Sequence, residues 1–242
     1  ASLAFDTGST VVFTGDGDSA ADTYTLTTVT STYHHVNVSS TDGTTDTFKL
    51  NAALDVNGNF TLSHGALSAS SSANSMNVGG NWTLTNGTFT NASNTVTFDG
   101  GSQTVSGTTS FWNLSKTVTS PATLTVGANT TTTVGNTLTL QGTSGNLLSL
   151  RSSSAGTAWR IDPQGTRTVS YLDVQDSHNT HSTAVSCTTG CTDSGGNTNW
   201  TFPVAATGGG GTPPIISQGM PSGTLPGGTR EATLRVSTDE PA

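Results

Sequence analysis

A short pattern of apolar residues recurs along this chain and limits the folds that the chain can adopt. The segments VNGNFTL (residues 56–62), VGGNWTL (residues 78–84) and VGNTLTL (residues 134–140) place apolar residues at the first, fifth and seventh positions. The second segment follows the first by 22 residues. Alternation with a period of two predicts β-strands that bury one face. We therefore expect many short strands, each followed by a turn.

A longer repeat includes two of these segments. Residues 11–70 and 96–150 look like two copies of one larger unit, with seven additional residues in the first copy. The matching pairs are VVFTG with VTFDG, YHHV with FWNL, and VNGNFTL with VGNTLTL, and the last two pairs are each 78 residues apart. Internal repeats of this kind are typical of proteins in which each repeat packs on its neighbours.

The repeats predict an all-β fold, a β-solenoid (parallel β-helix) of short coils of about 22 residues. One repeat cannot bury its apolar face alone, whereas stacked repeats can, because each strand bonds to its equivalent about 4.8 Å away. The 50 Thr and 29 Gly residues favour strands and tight turns. A pair of β-sandwiches is the alternative, but sandwiches do not require near-identical strands at a fixed offset.

The charge of the chain excludes several classes of function. There are 15 acidic and 7 basic residues, and only 9% of all residues are charged. Because no basic stripe exists, we expect no nucleic-acid partner, and no apolar run approaches the length of a membrane span. Glu is absent before Glu231, so the clustered carboxylates of sugar-cleaving β-helices are not evident. We expect neither enzymatic activity nor a cofactor.

Two cysteines, Cys187 and Cys191, occur in the segment CTTGC. They can form a disulfide that closes a small loop, in which Gly190 helps the chain to turn. They can also form half of a metal site, which requires further Cys or His ligands. We favour the disulfide because the composition is otherwise that of an extracellular protein.

The densest group of side chains with acid–base or metal-binding chemistry is Asp173, Asp176, His178 and His181. Strand alternation turns Asp173 away from its apolar neighbours, and the other residues fall in a predicted turn. We interpret this group as a solvated surface turn and expect no metal or catalytic site there.

Two further patterns offer ligand-binding alternatives. Three aspartates near the start of the chain could supply oxygens to calcium, but they complete no EF-hand or repeat-calcium spacing. Three threonines take equivalent outward positions, as on an ice-binding face, although threonine is in general a good outward strand residue. The aspartates are Asp16, Asp18 and Asp22, and the threonines are Thr61, Thr83 and Thr139.

Several motifs are similar to those of a known class of proteins. They are coils of the GNWTL type, the element FWNL (residues 111–114), and the closing segments SYLDVQDS (residues 170–177) and TDSGGNTNW (residues 192–200). With them, residues 5–202 resemble the Thr/Ser/Asn-rich β-strand-repeat regions of large bacterial surface and secreted adhesin-like proteins. Such regions are similar to the β-helical stalks of adhesins and autotransporter passengers. The resemblance implies an extracellular, elongated and non-catalytic protein.

The composition changes near the end of the chain. We predict a β-solenoid domain over residues 1–203 and a Gly/Pro linker over residues 204–214. Residues 215–242 resemble the opening strands of a bacterial immunoglobulin-like domain. Two strands cannot bury an independent core, so this segment is either a truncated domain or a donor strand for a neighbouring subunit. The apolar residues of the candidate donor strand are Ala232, Leu234 and Val236.

Together these patterns predict a secreted, bacterial cell-surface structural protein. We expect a self-assembling subunit of a filament or layer, whose partner is another copy joined end to end, with donor-strand complementation as one means of joining. The alternatives are a stalk segment of an adhesin and a carbohydrate-binding or carbohydrate-cleaving β-helix. A glycan or another surface ligand is a further candidate partner.

Overall fold

The computed structural model describes residues 6–18, 20–26, 32–40, 46–69 and 74–203. Within these ranges the chain is all-β and forms 23 strands and no helix. All of the strands belong to the compact unit Ala1–Ala205. The predicted linker and tail, residues 204–242, lie outside the described residues.

Most of the strands are short, and only β13 and β15 are much longer than the others. In chain order the strands are β1 (Thr10–Phe13), β2 (Thr23–Leu26), β3 (His35–Ser39), β4 (Thr47–Leu50), β5 (Leu54–Val56), β6 (Phe60–His64), β7 (Ala66–Ala69), β8 (Met76–Val78), β9 (Trp82–Leu84), β10 (Thr88–Asn91), β11 (Thr95–Phe98), β12 (Gln103–Ser106), β13 (Thr109–Thr117), β14 (Ala122–Val126), β15 (Thr131–Gln141), β16 (Leu148–Ser152), β17 (Trp159–Pro163), β18 (Thr166–Ser170), β19 (Leu172–Val174), β20 (Ser177–Asn179), β21 (Val185–Ser186), β22 (Thr192–Asp193) and β23 (Trp200–Thr201).

The strands stack in parallel sheets. The nine-strand sheet has the order β1-β3-β6-β9-β12-β14-β16-β19-β22, and the four-strand sheet has the order β2-β4-β7-β10. The eight-strand sheet has the order β5-β8-β11-β13-β15-β17-β20, with β18 also paired to β15, and β21 pairs with β23. Stacked parallel sheets are consistent with the β-helix or solenoid-like class. Parallel pairing rules out antiparallel β-sandwiches, the alternative architecture, for the described residues.

The 22-residue repeat corresponds to neighbouring strands in these sheets. Val56 pairs in register with Val78 in the eight-strand sheet. Phe60 pairs with Trp82 in the nine-strand sheet. Positions that are equivalent in the two sequence segments are therefore direct neighbours in the stack.

The repeated segments are not the single strands that their alternation predicts. β5 ends at Val56 in the eight-strand sheet, and β6 begins at Phe60 in the nine-strand sheet, so the segment turns a corner between them. The turn contains Gly58, where a Cβ would lie 2.4 Å from the carbonyl oxygen of His34. Stacked turns approach each other this closely because glycine has no side chain.

The larger repeat does not place its two copies equivalently. Val56 and Phe60 lie in two different sheets, whereas the matching Val134 and Leu138 both lie in β15. All four side chains are buried. The two predicted copies therefore share an apolar corner motif, but the matching residues occupy different places in the sheets.

An aromatic cluster forms the middle of the core. Trp82 is fully buried, and its ring centroid lies 4.5 Å from that of Phe60, 5.1 Å from that of Phe89 and 5.2 Å from that of Phe111. The indole Nε1 donates a hydrogen bond of 3.2 Å to the Oγ1 of Thr109. Burial of each large apolar side chain stabilises the fold by roughly 1.5–3 kcal/mol, and the hydrogen bond satisfies the polar atom of the tryptophan.

Candidate functional site

The first strands leave the edges of two sheets open. β1 is the terminal strand of the nine-strand sheet and β2 that of the four-strand sheet, and no strand of the described residues pairs with their outer sides. His35 N donates to Ser9 O over 2.9 Å, so the backbone of β1 bonds to β3 at every second residue. The N–H and C=O groups of Thr10 and Val12 therefore face the open edge.

The inward side chains at this edge are less buried than those one strand further in. Val11 and Phe13 are partly exposed, whereas their register partners Val36 and Val38 are 1% and 0% exposed. An apolar strand with unpaired backbone groups is a template for pairing with another strand. We define the outer side of β1, with Val11, Val12 and Phe13, as the open edge.

The same comparison applies to β2 in the four-strand sheet. Tyr24 is partly exposed, whereas its register partner Phe48 is 2% exposed. The rings of Tyr24 and Phe48 stack with centroids 5.4 Å apart. The ring centroid of Phe13 lies 6.3 Å from that of Phe48 and 6.4 Å from that of Tyr33. The apolar side chains of both edge strands therefore belong to one cluster.

The opposite end of the stack is built differently. β22 and β23 have only two residues each. Beside them, Asp193 Oδ1 accepts hydrogen bonds from Gly195 N over 2.9 Å and from Asn197 Nδ2 over 2.6 Å. The rings of Trp200 and Phe202 stack with centroids 5.9 Å apart. Short strands and hydrogen-bonded polar turns reduce the tendency of a sheet edge to pair.

Three aspartates lie together close to the open edge. Ligand oxygens of Asp16, Asp18 and Asp22 lie within 4.8 Å of one another, as the calcium alternative requires. Local hydrogen bonds also order this loop: Ala20 N donates to Asp18 Oδ1 over 2.7 Å, and Asp16 N donates to the hydroxyl of Tyr24 over 3.2 Å. The oxygens have the chemistry of a calcium site, and they also have a role in the turn.

The structure does not bring the polar side chains of Asp173, Asp176, His178 and His181 together in one cluster. Asp173 lies in the nine-strand sheet and His178 in the eight-strand sheet. In the part of the chain that the structure describes, no three of these side chains bring ligand atoms together. The solvated turn that the sequence predicts around His178 is wrong: His178 lies in β20, and Asp176 is buried.

Each member of that group has its own structural partner. Asp173 forms an ion pair with Arg151 and accepts a hydrogen bond of 2.5 Å from the hydroxyl of Ser194. Asp176, with φ of +54°, accepts from Gly156 N over 2.9 Å. A guanidinium nitrogen of Arg167 lies 2.7 Å from the Nδ1 of His181. His178 pairs in register with Arg160 on the neighbouring strand.

Cys187 and Cys191 form a disulfide, with their Cα atoms 5.8 Å apart. Gly190 takes the left-handed conformation, with φ of +62°, inside the small loop that the bond closes. The loop joins the end of β21 to the start of β22. Both cysteines are buried, so the bond stabilises the last turn of the stack from within the core.

A buried lysine is the feature that the sequence reasoning missed. Lys116 is 0% exposed and extends the inward row of β13 after Leu114. Its Nζ donates to Gly100 O over 3.0 Å, to Gly101 O over 2.8 Å and to Gln103 Oε1 over 2.6 Å. After the bend, the alternation of Leu114, Ser115 and Lys116 places Lys116 on the inward side, and this alternation was the available signal. Burial lowers the pKa of Lys116 to about 8, and the charge of Asp99 opposes the shift.

The threonines of the ice-binding alternative do not form one row. Thr61 and Thr83 are register partners in the nine-strand sheet. Thr139 lies in β15 of the eight-strand sheet, between Ser115 and Thr168. In the nine-strand sheet, the row of Thr61 and Thr83 continues to Ser106.

The candidate donor strand (Ala232, Leu234 and Val236) lies outside the described residues.

Comparisons with known proteins find no family model, curated protein or solved structure that matches the chain. The described residues contain no helix that is long and apolar enough to cross a membrane.

Proposed function

We propose that the described residues wind as a closed β-solenoid. The order of the strands supports this proposal: after β3, β4 and β5 in three different sheets, the chain passes through β6, β7 and β8 and then β9, β10 and β11 in the same sheets. Each return to the nine-strand sheet adds one strand beside the previous one. The nine strands of that sheet would then correspond to nine coils.

In this proposal the solenoid is an extracellular structural subunit without catalytic activity, and copies of it assemble into a surface filament or layer. The observation that carries the proposal is the open edge, where no strand of the described residues gives the apolar β1 the second neighbour that every inner strand of the sheet has. Covering Val11 and Phe13 removes apolar surface from water at roughly 25 cal/mol per Å². Pairing the backbone of Thr10 and Val12 adds main-chain hydrogen bonds.

The occupant that we propose for the open edge is the donor strand, residues 232–236 of a neighbouring copy. Ala232, Leu234 and Val236 alternate with polar residues, so an extended conformation turns all three to one face. That face matches the inward side of a strand added beside β1. The short, polar strands at the opposite end offer a poorer template, so the proposed assembly has one direction.

The extracellular location is supported by the disulfide and by the composition. Disulfides form and persist in oxidising compartments and are rare in the cytosol of most organisms. Cys187 and Cys191 are paired inside the last turn of the stack. A surface dominated by Thr and Ser, with only 9% charged residues in the chain, suits a structural role without charged ligands.

Electron microscopy of the purified chain tests the assembly. Val12→Pro removes a backbone N–H that faces the open edge and leaves the hydrogen bonds to β3 intact. Val12→Thr is the matched control because it keeps the N–H and the branched Cβ. We expect filaments or ordered oligomers from the wild type and from Val12→Thr, and single particles from Val12→Pro. Equal assembly of all three proteins would contradict pairing at this edge.

A further inference from the structure

Trp112 is the one aromatic side chain that the described residues expose, with 38% of its surface accessible. It lies at a bend in β13, where the register with β15 shifts between Phe111 and Asn113. The bend interrupts the alternation, so that Phe111 and Leu114 point inward while Trp112 points outward. β13 is an inner strand with neighbours on both sides, so the open edge does not account for this exposure.

The indole of Trp112 rests on a glycine of the next strand. A Cβ at Gly135 would lie 3.2 Å from Cε3 and 3.5 Å from Cζ3 of the indole ring. The backbone at Gly135 does not have a positive φ, so its conformation is open to any residue. The contact with the ring is the feature that a side chain there would disturb. Because Gly135 has no side chain, the ring of Trp112 can pack directly on its backbone, and this contact fixes the position of the ring.

Hydroxyl, amide and carboxylate groups flank Gly135. Thr133 and Asp162 pair in register on neighbouring strands, on the N-terminal side of Gly135, and both side chains face outward. On the C-terminal side, the exposed Asn136 donates from Nδ2 to Asn113 Oδ1 over 2.7 Å. Hydroxyl, amide and carboxylate groups are thus ordered on both sides of an exposed ring.

The chemistry around the ring selects among ligands. Nucleic-acid bases stack on aromatic rings, but the phosphates need cations, and the neighbouring strands β11 and β15 carry no Lys or Arg. On β17, Arg160 shares the outward face with Asp162, and its guanidinium donates to the carbonyl oxygen of Asn129 over 3.0 Å. Ammonium ligands are held by cages of several rings, and this site has one exposed ring. A neutral sugar has apolar C–H faces that pack on a ring and hydroxyls that bond to amides and carboxylates.

We propose that Trp112 is a binding platform for a neutral saccharide. Its ring packs on Gly135, and Asp162 and Asn136 flank that contact. The site lies on an inner strand, away from the open edge. Saccharide binding and assembly can therefore succeed or fail independently of each other.

Affinity gel electrophoresis of the full chain tests the platform. The probes are soluble hydroxyethyl cellulose, xylan, galactomannan and laminarin, each cast in the gel. We expect at least one of them to retard the wild type. Trp112→Ala should raise the dissociation constant at least about tenfold, and Trp112→Phe, which keeps a smaller ring, should raise it less. Thr90→Ala, at an exposed position on β10 in the four-strand sheet, is the control and should bind like the wild type.

Thermal melts of each variant show that it is folded, and Trp112→Phe keeps the test decisive if Trp112→Ala does not fold. The proposal is overturned if none of the four polysaccharides retards the wild type, or if the Trp112 variants are retarded as strongly as the wild type. If the Trp112 variants change only self-association, the ring is a contact between copies and the saccharide proposal is also wrong.

Discussion

Lys116 is a basic residue at a position where the strand pattern would place an apolar one. It is the register partner of Leu140 in the inward row of the eight-strand sheet, yet it carries an amine. Burial of a charged amine costs free energy, and three hydrogen bonds to Gly100, Gly101 and Gln103 offset part of that cost. Lys116 therefore ties the turn at residues 100–101 to the strand beneath it.

The lowered pKa of Lys116 predicts a pH dependence of stability. The folded amine loses its proton near pH 8, whereas the unfolded amine keeps its proton up to about pH 10.5. The unfolded state binds more protons between these values, so the free energy of unfolding rises with pH. We expect a rise of about 1.5 kcal/mol from pH 8 to pH 9.5, relative to the variant Lys116→Met.

Urea denaturation of both proteins at several pH values measures this difference. Below pH 8 the difference between wild type and Lys116→Met should be nearly constant, because the amine is protonated in both states. A difference that stays flat up to pH 9.5 would show that Lys116 is not desolvated in the folded protein.

At the scale of elements, the sequence alone predicted the strands and their parallel stacking, but not the corners. The pairing of Phe60 with Trp82 follows from the 22-residue repeat, because equivalent residues of a stacked repeat become neighbours. The corner between Val56 and Phe60 was missed because a three-residue turn leaves the apolar alternation unbroken: 56, 60 and 62 have the same parity. Apolar alternation indicates which face of the chain is buried, but it does not indicate where the chain passes from one sheet to another.

The candidate sites were predictable to different degrees. The bond between Cys187 and Cys191 was predicted from the extracellular character of the composition, because the spacing alone also allows half of a metal site. The open edge could not be predicted, because it depends on which strand is terminal in a sheet. The exposure of Trp112 depends on the bend after Phe111, which the segment FWNL does not reveal.

The stacked turns give a prediction with an internal control. A Cβ at Gly100 would lie 1.9 Å from the carbonyl oxygen of Gly79, whereas a Cβ at Gly101 would meet nothing within 4 Å. The carbonyl oxygens of Gly100 and Gly101 each accept a hydrogen bond from Lys116. The two positions therefore differ mainly in the space around the added Cβ. We expect Gly100→Ala to destabilise the fold by about 2–3 kcal/mol and Gly101→Ala by less than about 1 kcal/mol.

The free energy of unfolding of the two alanine variants, measured side by side in urea, tests this prediction. Equal losses of stability would mean that the turns of neighbouring strands are not packed as closely as the distance from Gly79 requires.

At the scale of the whole molecule, the two ends of the nine-strand sheet differ. β1 has four residues and partly exposed apolar side chains, whereas β22 has two residues, Thr192 and Asp193, both exposed. Ends of unlike chemistry favour head-to-tail assembly, which continues into a filament if it does not close into a ring. In the proposed assembly each copy receives a strand at its open edge and provides its own residues 232–236 to the next copy.

A mixing experiment tests donor-strand pairing at the open edge. Val12→Pro keeps the donor strand but loses the open edge, and a chain that lacks residues 206–242 keeps the open edge but loses the donor strand. Sedimentation velocity should show that each variant alone is a monomer and that the mixture forms a 1:1 dimer and nothing larger. A mixture that remains monomeric, or a variant that polymerises alone, would contradict donor-strand pairing at β1.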